Sequence, residues 1–531
     1  MAIPPPVTPP STRVMNLAHF ARQSAQRFPA RDAMIWGEKS WSWQTLWSRV
    51  NAMAHALSRD YGVTKGDRIL VQSPNCNQLF ESMLACFQLG AIWVPANFRG
   101  MPGDIEWQAE LSGAKGMICH ADFPQHAAIC QSRVAFTIAI GAATFGPDYD
   151  GIVAANLGQT VPVAAVQRDD PCWLFFTSGT TGKPKASVLT HGQMGFVVTN
   201  HLADLMPGMD ENDTALVVAP LTHAAGLHAI LAMARGATSV LPAAGHFDAA
   251  EIWQLVETYR VTNLFAVPTI LKMMVEDPAV DQVDHSSLKT VIYAGAPMYR
   301  VDQVLALQKL GQVLVQYFGL GEVTGNITVL PRHLHDAAHD PRPGTCGYAR
   351  TGIQIEIQDR NGTPLAPGET GEICVIGPAV FAGYWDNPEA NAKAFRNGWF
   401  RTGDLGHMDA EGFLYITGRE SDMYISGGSN IYPREIEEKI LNHPGISEVA
   451  VIGVPDPKWG EIGVAVCVAN STPPPSEAEL RDFLKAKIAS YKMPKDFQFW
   501  DSLPKSGYGK IPKRLVRETY LQQKSAQGHE N

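Results

Sequence analysis

From residue 16 to about residue 95, apolar positions alternate between a helical spacing and short continuous runs. Leu79, Met83 and Phe87 recur every four residues and share one helical face. Gly90 ends that stretch, and Ala91, Ile92, Trp93 and Val94 follow as a buried strand would. The alternation returns further on, predicting strands over 264–267, 291–294 and 313–316, separated by helices near 250–259 and 299–310. A largely parallel sheet covered by helices follows, and ligands of such sheets gather at the carboxyl ends of the strands.

The pattern changes after about residue 340. Ile353, Ile355 and Ile357 alternate with Gln354, Glu356 and Gln358 before an Asn361-Gly362 turn, which is the signature of antiparallel β structure. Past Arg419 come the pair Gly427 and Gly428, a Glu-rich helix over 435–441 and strands over 448–452 and 464–468. No repeat of solenoid period is present. The expected fold class is α/β. A large N-terminal domain over 14–419 is built from α/β subdomains (about 14–165 and 166–340) and a β-rich one (341–419), followed by a small α+β C-terminal domain over 420–531.

At 531 residues the chain exceeds the size at which one core keeps growing, which agrees with several subdomains. Hydrophobic residues at 45% and charged residues at 18% exclude chain-wide disorder. The net charge of -9 gives no electrostatic footprint for nucleic acid or an anionic membrane, so an anionic ligand needs local donors. The eight cysteines form no CxxC pair, as expected of a reduced, cytoplasmic protein. Residues 1–13, with five prolines and no apolar core, are expected to be a flexible arm rather than a signal or anchor. No run approaches the roughly 18 to 20 apolar residues of a membrane helix.

The most informative segment is Thr177, Ser178, Gly179, Thr180, Thr181, Gly182, Lys183, Pro184, Lys185, between apolar strands at 173–176 and 188–190. Hydroxyls, glycine amides and two lysines in one turn are what a loop holding a polyphosphate needs: many donors, close backbone approach and positive charge. A P-loop fails on spacing, because the glycines are three apart and Lys183 precedes Pro184 in a strand-loop-strand unit rather than opening a helix.

This run resembles the phosphate loop of the adenylate-forming superfamily, which includes acyl-CoA synthetases, firefly luciferases and nonribosomal peptide adenylation domains. Later motifs appear in that family's order, from about residue 16 to about residue 517. In Gln316, Tyr317, Phe318, Gly319, Leu320, Gly321, Glu322, the resemblance puts Phe318 against adenine and Glu322 on Mg²⁺. Two departures occur there, Phe318 for the usual Tyr and Gly321 for the usual Thr. The second removes a hydroxyl, so either a neighbouring amide replaces it or the site is roomier. Tyr293, Ala294, Gly295, Ala296 and Pro297 resemble the adenine and acyl-pocket segment. Asp404 in Arg401-Thr402-Gly403-Asp404 matches the ribose-binding aspartate, whose ionised carboxylate accepts from a diol. Arg419 matches an arginine that reaches ATP, and Ser421 stands at the hinge, where the family commonly has Asp or Lys. Lys510, in Gly509-Lys510-Ile511, matches the adenylation lysine.

The resemblance implies a carboxylic acid:CoA ligase using ATP, Mg²⁺ and coenzyme A, with a mobile C-terminal domain that turns about Ser421. Gly427 and Gly428 are then expected to line the pantetheine tunnel. Thr222, His223, Gly226, Tyr293 and Leu320 are the expected acyl-pocket residues. No acidic residue lies near His223, which favours a fatty or aromatic acid over an amino acid. Delivery of the adenylate to a carrier protein or another acceptor is the alternative. The expected partners are these small molecules, with a homodimer left open. His333, His335, Asp336 and His339 lie close enough to converge on a metal, yet they follow Pro331 in an expected surface loop without a counterpart in the family's site.

Overall fold

A computed structural model describes residues 12–177, 183–296, 298–419, 421–426, 429–505 and 511–527. Ser178, Gly179, Thr180, Thr181, Gly182, Pro297, Gly427, Gly428 and Lys510 lie outside the described residues, as does the arm up to residue 11.

The first sheet has six strands among the described residues. In spatial order they are Lys185–Thr190, Pro171–Thr177, Ile92–Ala96, Arg68–Gln72, Gly116–His120 and Phe136–Ile140. All neighbours are parallel except the first pair, in which Lys185 opposes Thr177 in an antiparallel hairpin. The expected strand-loop-strand setting of the phosphate loop is therefore present.

The second sheet is 14-stranded among the described residues. Its parallel centre runs Asp32–Trp36, Thr238–Leu241, Thr214–Leu216, Asn263–Ala266, Thr290–Tyr293, Leu314–Phe318. From there the ladder continues antiparallel through Thr328–Leu330, Thr345–Ala349, Phe413–Arg419, Trp399–Met408, Gly371–Ile376 and Gln354–Gln358. Helices Ala249–Thr258 and Arg300–Leu310 stand where the apolar spacing put them. One face of the parallel strands packs under these helices through Leu264, Val291, Tyr293 and Leu314. The other face, with Phe265, Ile292, Val315 and Tyr317, joins the main core. Successive strand residues point to opposite faces, so this division follows from the period of two.

From residue 424 on, a sheet of five strands among the described residues forms around the hairpin Ile446–Asp456 and Gly460–Ala469, with helices Pro433–Ile440 and Glu477–Lys485. It has apolar clusters of its own, one around Ile436, Val451 and Leu480 and another around Val454, Val466 and Val516. A large N-terminal domain and a smaller C-terminal one make up the mixed α/β fold.

Candidate active site

The two sheets meet at Glu322, which is only 6% exposed. It sits in the 3-10 turn Gly321–Val323, just past the carboxyl end of the strand Leu314–Phe318. Its Oε1 accepts from the Thr177 hydroxyl at 3.0 Å and from the Tyr384 hydroxyl at 3.0 Å. Thr177 ends a strand of the first sheet, so one carboxylate is gripped from both sides. Burial, and then the charge of Glu322, push the Tyr384 phenol well above its ordinary pKa, which keeps it a donor. Oε2 makes no hydrogen bond among the described residues. A single carboxylate with lone pairs free, at the end of the strand that leads into the expected phosphate loop, fits Mg²⁺, which is ordinarily held by one or two carboxylates plus phosphates and water.

Sequence reasoning missed Tyr384. The segment carrying it pairs with Lys185–Thr190 through Val188 N to Gly383 O at 2.9 Å and Trp385 N to Ala186 O at 2.8 Å. The available signal was the aromatic run Phe381, Tyr384, Trp385 ahead of Asn387, whose side chain caps the next helix. Trp107 was missed as well. The Lys183 ammonium lies 4.0 Å from its ring centroid, while the indole N–H donates to Pro184 O.

Gly321 has a physical reason. A Cβ there would come within 2.6 Å of Phe175 Cε1 and 2.9 Å of Thr177 Cγ2. The space of the missing threonine is filled by these two side chains, so the site is not roomier. Gly319 is required in the same way, since its Cβ would meet the Gly325 backbone at 2.5 Å. Phe318 and Leu320 pack at the rim of the main core, and Gly295 takes a positive φ of 87° with Ala296 beside it.

Asp404 and Arg419 face each other across neighbouring antiparallel strands, with Arg419 Nε donating to Asp404 Oδ1 at 3.0 Å. Asp404 is 4% exposed, and its carboxylate, as the first cause, raises the pKa of the guanidinium. Ser421 lies in the exposed turn that follows, where the amides of Asp422 and Met423 return to Arg419 O.

Thr222 and His223 open the helix Ala224–Arg235, and the His223 ring lies 4.8 Å from that of Phe175. Gly226 is held by packing, because a Cβ would sit 2.1 Å from Leu221 O. Tyr293 needs correction: its side chain is on the helix-covered face, away from His223. Its hydroxyl accepts from Gln303 at 2.9 Å and lies 3.1 Å from Gln316 Oε1 and 3.0 Å from His335 Nε2. The Gln316 side chain is committed to that same network. His335, expected on a surface loop, is 1% exposed with Nδ1 against Pro331 O, and burial lowers its pKa to about 4. It anchors Tyr293, and among the described residues no group of three or more His, Cys, Asp or Glu converges as a metal site.

Residues 21–385 match the family model for AMP-binding enzyme, and residues 435–510 match that for AMP-binding enzyme C-terminal domain. A feruloyl-CoA synthase of Amycolatopsis sp is 37% identical over 512 residues, covering 96% of this chain and 100% of the relative. A long-chain-fatty-acid--CoA ligase, FadD13 of Mycobacterium tuberculosis, is 34% identical over 517 residues, covering 95% and 98%. Among solved structures, o-succinylbenzoate CoA synthetase (MenE) from Bacillus subtilis, in complex with its acyl-adenylate intermediate, superposes with a TM-score of 0.83 at 30% identity, covering 96% and 99%.

Proposed function

The chain belongs to the AMP-binding enzyme family, and from that premise we propose that it is an ATP-dependent, AMP-forming acyl-CoA ligase for an aromatic or fatty acid. The observation that carries the reading is the Thr177–Glu322–Tyr384 junction at the end of the phosphate loop, with Asp404 and Arg419 on the same sheet.

Carboxylate and ATP are both anions, so their union needs positive charge where it builds up on the α-phosphate. Lys510, the amides of residues 178–182 and Lys183 supply it. The acid's carboxylate attacks the α-phosphorus, pyrophosphate leaves, and an acyl-adenylate forms. Asp404 accepts from the ribose hydroxyls, and Arg419 keeps it oriented. Glu322 would hold Mg²⁺, which supplies Lewis-acid neutralisation of the phosphates. In the second half the CoA thiol attacks the acyl carbon and AMP leaves, with Gly427 and Gly428 giving room for the pantetheine arm.

We take the large domain as 14–419, with subdomains near 14–165, 166–340 and 341–419, and the small one as 420–531, hinged at Ser421. The family matches ending at 385 and beginning at 435 support a boundary between them. A reduced cytoplasmic setting suits eight buried cysteines without disulfides, and among the described residues no helix is long and apolar enough to cross a membrane.

The test is carboxylate-dependent exchange between pyrophosphate and ATP. Lys510→Ala should lower it by about 10² to 10³, the scale of removing a preorganised charge-stabilising donor. Unchanged exchange would remove Lys510 from the chemistry. Adenylate turnover without CoA, and without any thioester product, would favour a different acyl acceptor.

A further inference from the structure

Both lysines at the exit of the phosphate segment rest on rings. The Lys183 ammonium lies 4.0 Å from the Trp107 ring centroid, and that of Lys185 lies 4.9 Å from the Tyr384 centroid. Among the described residues neither lysine is ion-paired to a carboxylate, even though Tyr384 itself donates to Glu322.

The kind of partner matters where an anion is to be received. A carboxylate in place of either ring would neutralise the lysine and repel a polyphosphate. An aromatic face attracts an ammonium through its quadrupole and carries no net charge, so the lysine keeps its full positive charge for a ligand. Tyr384 has the Glu322 carboxylate as a second task. Trp107 has a second task on the main chain.

Lys185 opposes Thr177 in the last rung of the hairpin, so the Pro184 carbonyl lies beyond the ladder. Proline has no N–H to help fix the chain at this point. The Trp107 indole N–H donates to Pro184 O at 3.3 Å and supplies the missing tie. On the other side the Thr177 hydroxyl donates to Glu322 at 3.0 Å, so the chain is held both before and after residues 178–182. The support under Trp107 is firm as well. Its helix, Pro102–Ser112, buries Ile105 and Ala109 in the cluster that holds Phe176 and Ala186, which face each other one rung inside the hairpin. Ring and hairpin therefore keep a fixed spacing, while Lys183 itself stays exposed to an incoming ligand.

We propose that Trp107 is a positioning residue for nucleotide binding. Its ring face holds the Lys183 ammonium in place without a countercharge, its N–H fixes the chain beneath that lysine, and it acts on the triphosphate through Lys183. The inference rests on the adenylation half of the ligase reading and adds a residue to it.

The test measures carboxylate-dependent exchange between pyrophosphate and ATP at varied MgATP. Trp107→Leu should raise the KM for ATP by about three- to tenfold, the scale of losing one cation–π contact, with little change in kcat or in the KM for the acid. Trp107→Phe keeps a ring face, should give a smaller rise, and replaces the leucine variant should that one fail to fold. Lys183→Met should raise the same KM, and removing the indole on top of it should add almost nothing, because the ring acts through the ammonium. An unchanged KM for ATP in the Trp107 variants, or effects that multiply in the double variant as those of independent sites do, overturns the proposal and leaves the ligase reading standing. No exchange with any acid in the unaltered protein overturns both.

Discussion

At the scale of single residues, Glu322 and Gly321 give the sharpest expectations. Glu322→Gln keeps the shape and both hydroxyl contacts but removes the charge that would hold Mg²⁺. It should raise the concentration of MgATP needed for half-maximal exchange and cut exchange by about tenfold or more, as loss of a charge-assisted ligand does. An unchanged magnesium dependence would take the ion off this carboxylate. Gly321→Thr restores the residue usual in the family, yet its Cβ would be driven into the Phe175 ring. Overpacking of this kind costs about 1–3 kcal/mol. The variant should melt earlier, with partial recovery when Phe175→Ala is added, measured by thermal unfolding. The glycine was legible in the sequence as a departure, but its reason was not, because Phe175 lies 146 positions earlier in the chain and only the fold makes them neighbours.

At the scale of elements, the helix Ala224–Arg235 sets two local effects against each other. Gly226→Ala would gain about 1 kcal/mol of helix propensity. The new methyl, however, would stand 2.1 Å from the Leu221 carbonyl oxygen, a backbone atom that cannot swing away. The steric term should win, and a denaturation midpoint at or above that of the parent would show that the helix start relaxes instead. The elements themselves were largely readable. Strands expected over 264–267, 291–294 and 313–316 fold as Asn263–Ala266, Thr290–Tyr293 and Leu314–Phe318, since buried apolar runs bounded by turns leave little freedom. Which face a strand residue presents was harder to see. Tyr293 and Gln316 are cross-strand partners on the helix-covered side, and nothing local in the sequence says which of two buried faces meets the substrate. His335 lies in the expected loop beside the exposed His333, Asp336 and His339 but turns inward, and a single buried histidine tied to Tyr293 has no periodic signature of its own.

At the scale of the whole molecule, buried neutral histidines set a pH limit. His191 and His335 are pushed by burial to about 4, and His228 to about 3, all below the unfolded value near 6.5. The folded state refuses protons that the unfolded chain accepts. Stability is therefore full above about 6.5 and declines as pH falls, by up to about 1.4 kcal/mol per pH unit for each histidine. Urea midpoints at pH 7.5 and 5 should show the loss, and His335→Gln should flatten the slope by one proton's share. The Thr177–Glu322 bond has a consequence on this scale too. It stitches the six-stranded sheet to the larger one with a hydroxyl and a carboxylate, at the place where a triphosphate would lie across both. A nucleotide seated there acts as a rivet through two plates, so its arrival should register as cohesion throughout the molecule, far from any atom it touches.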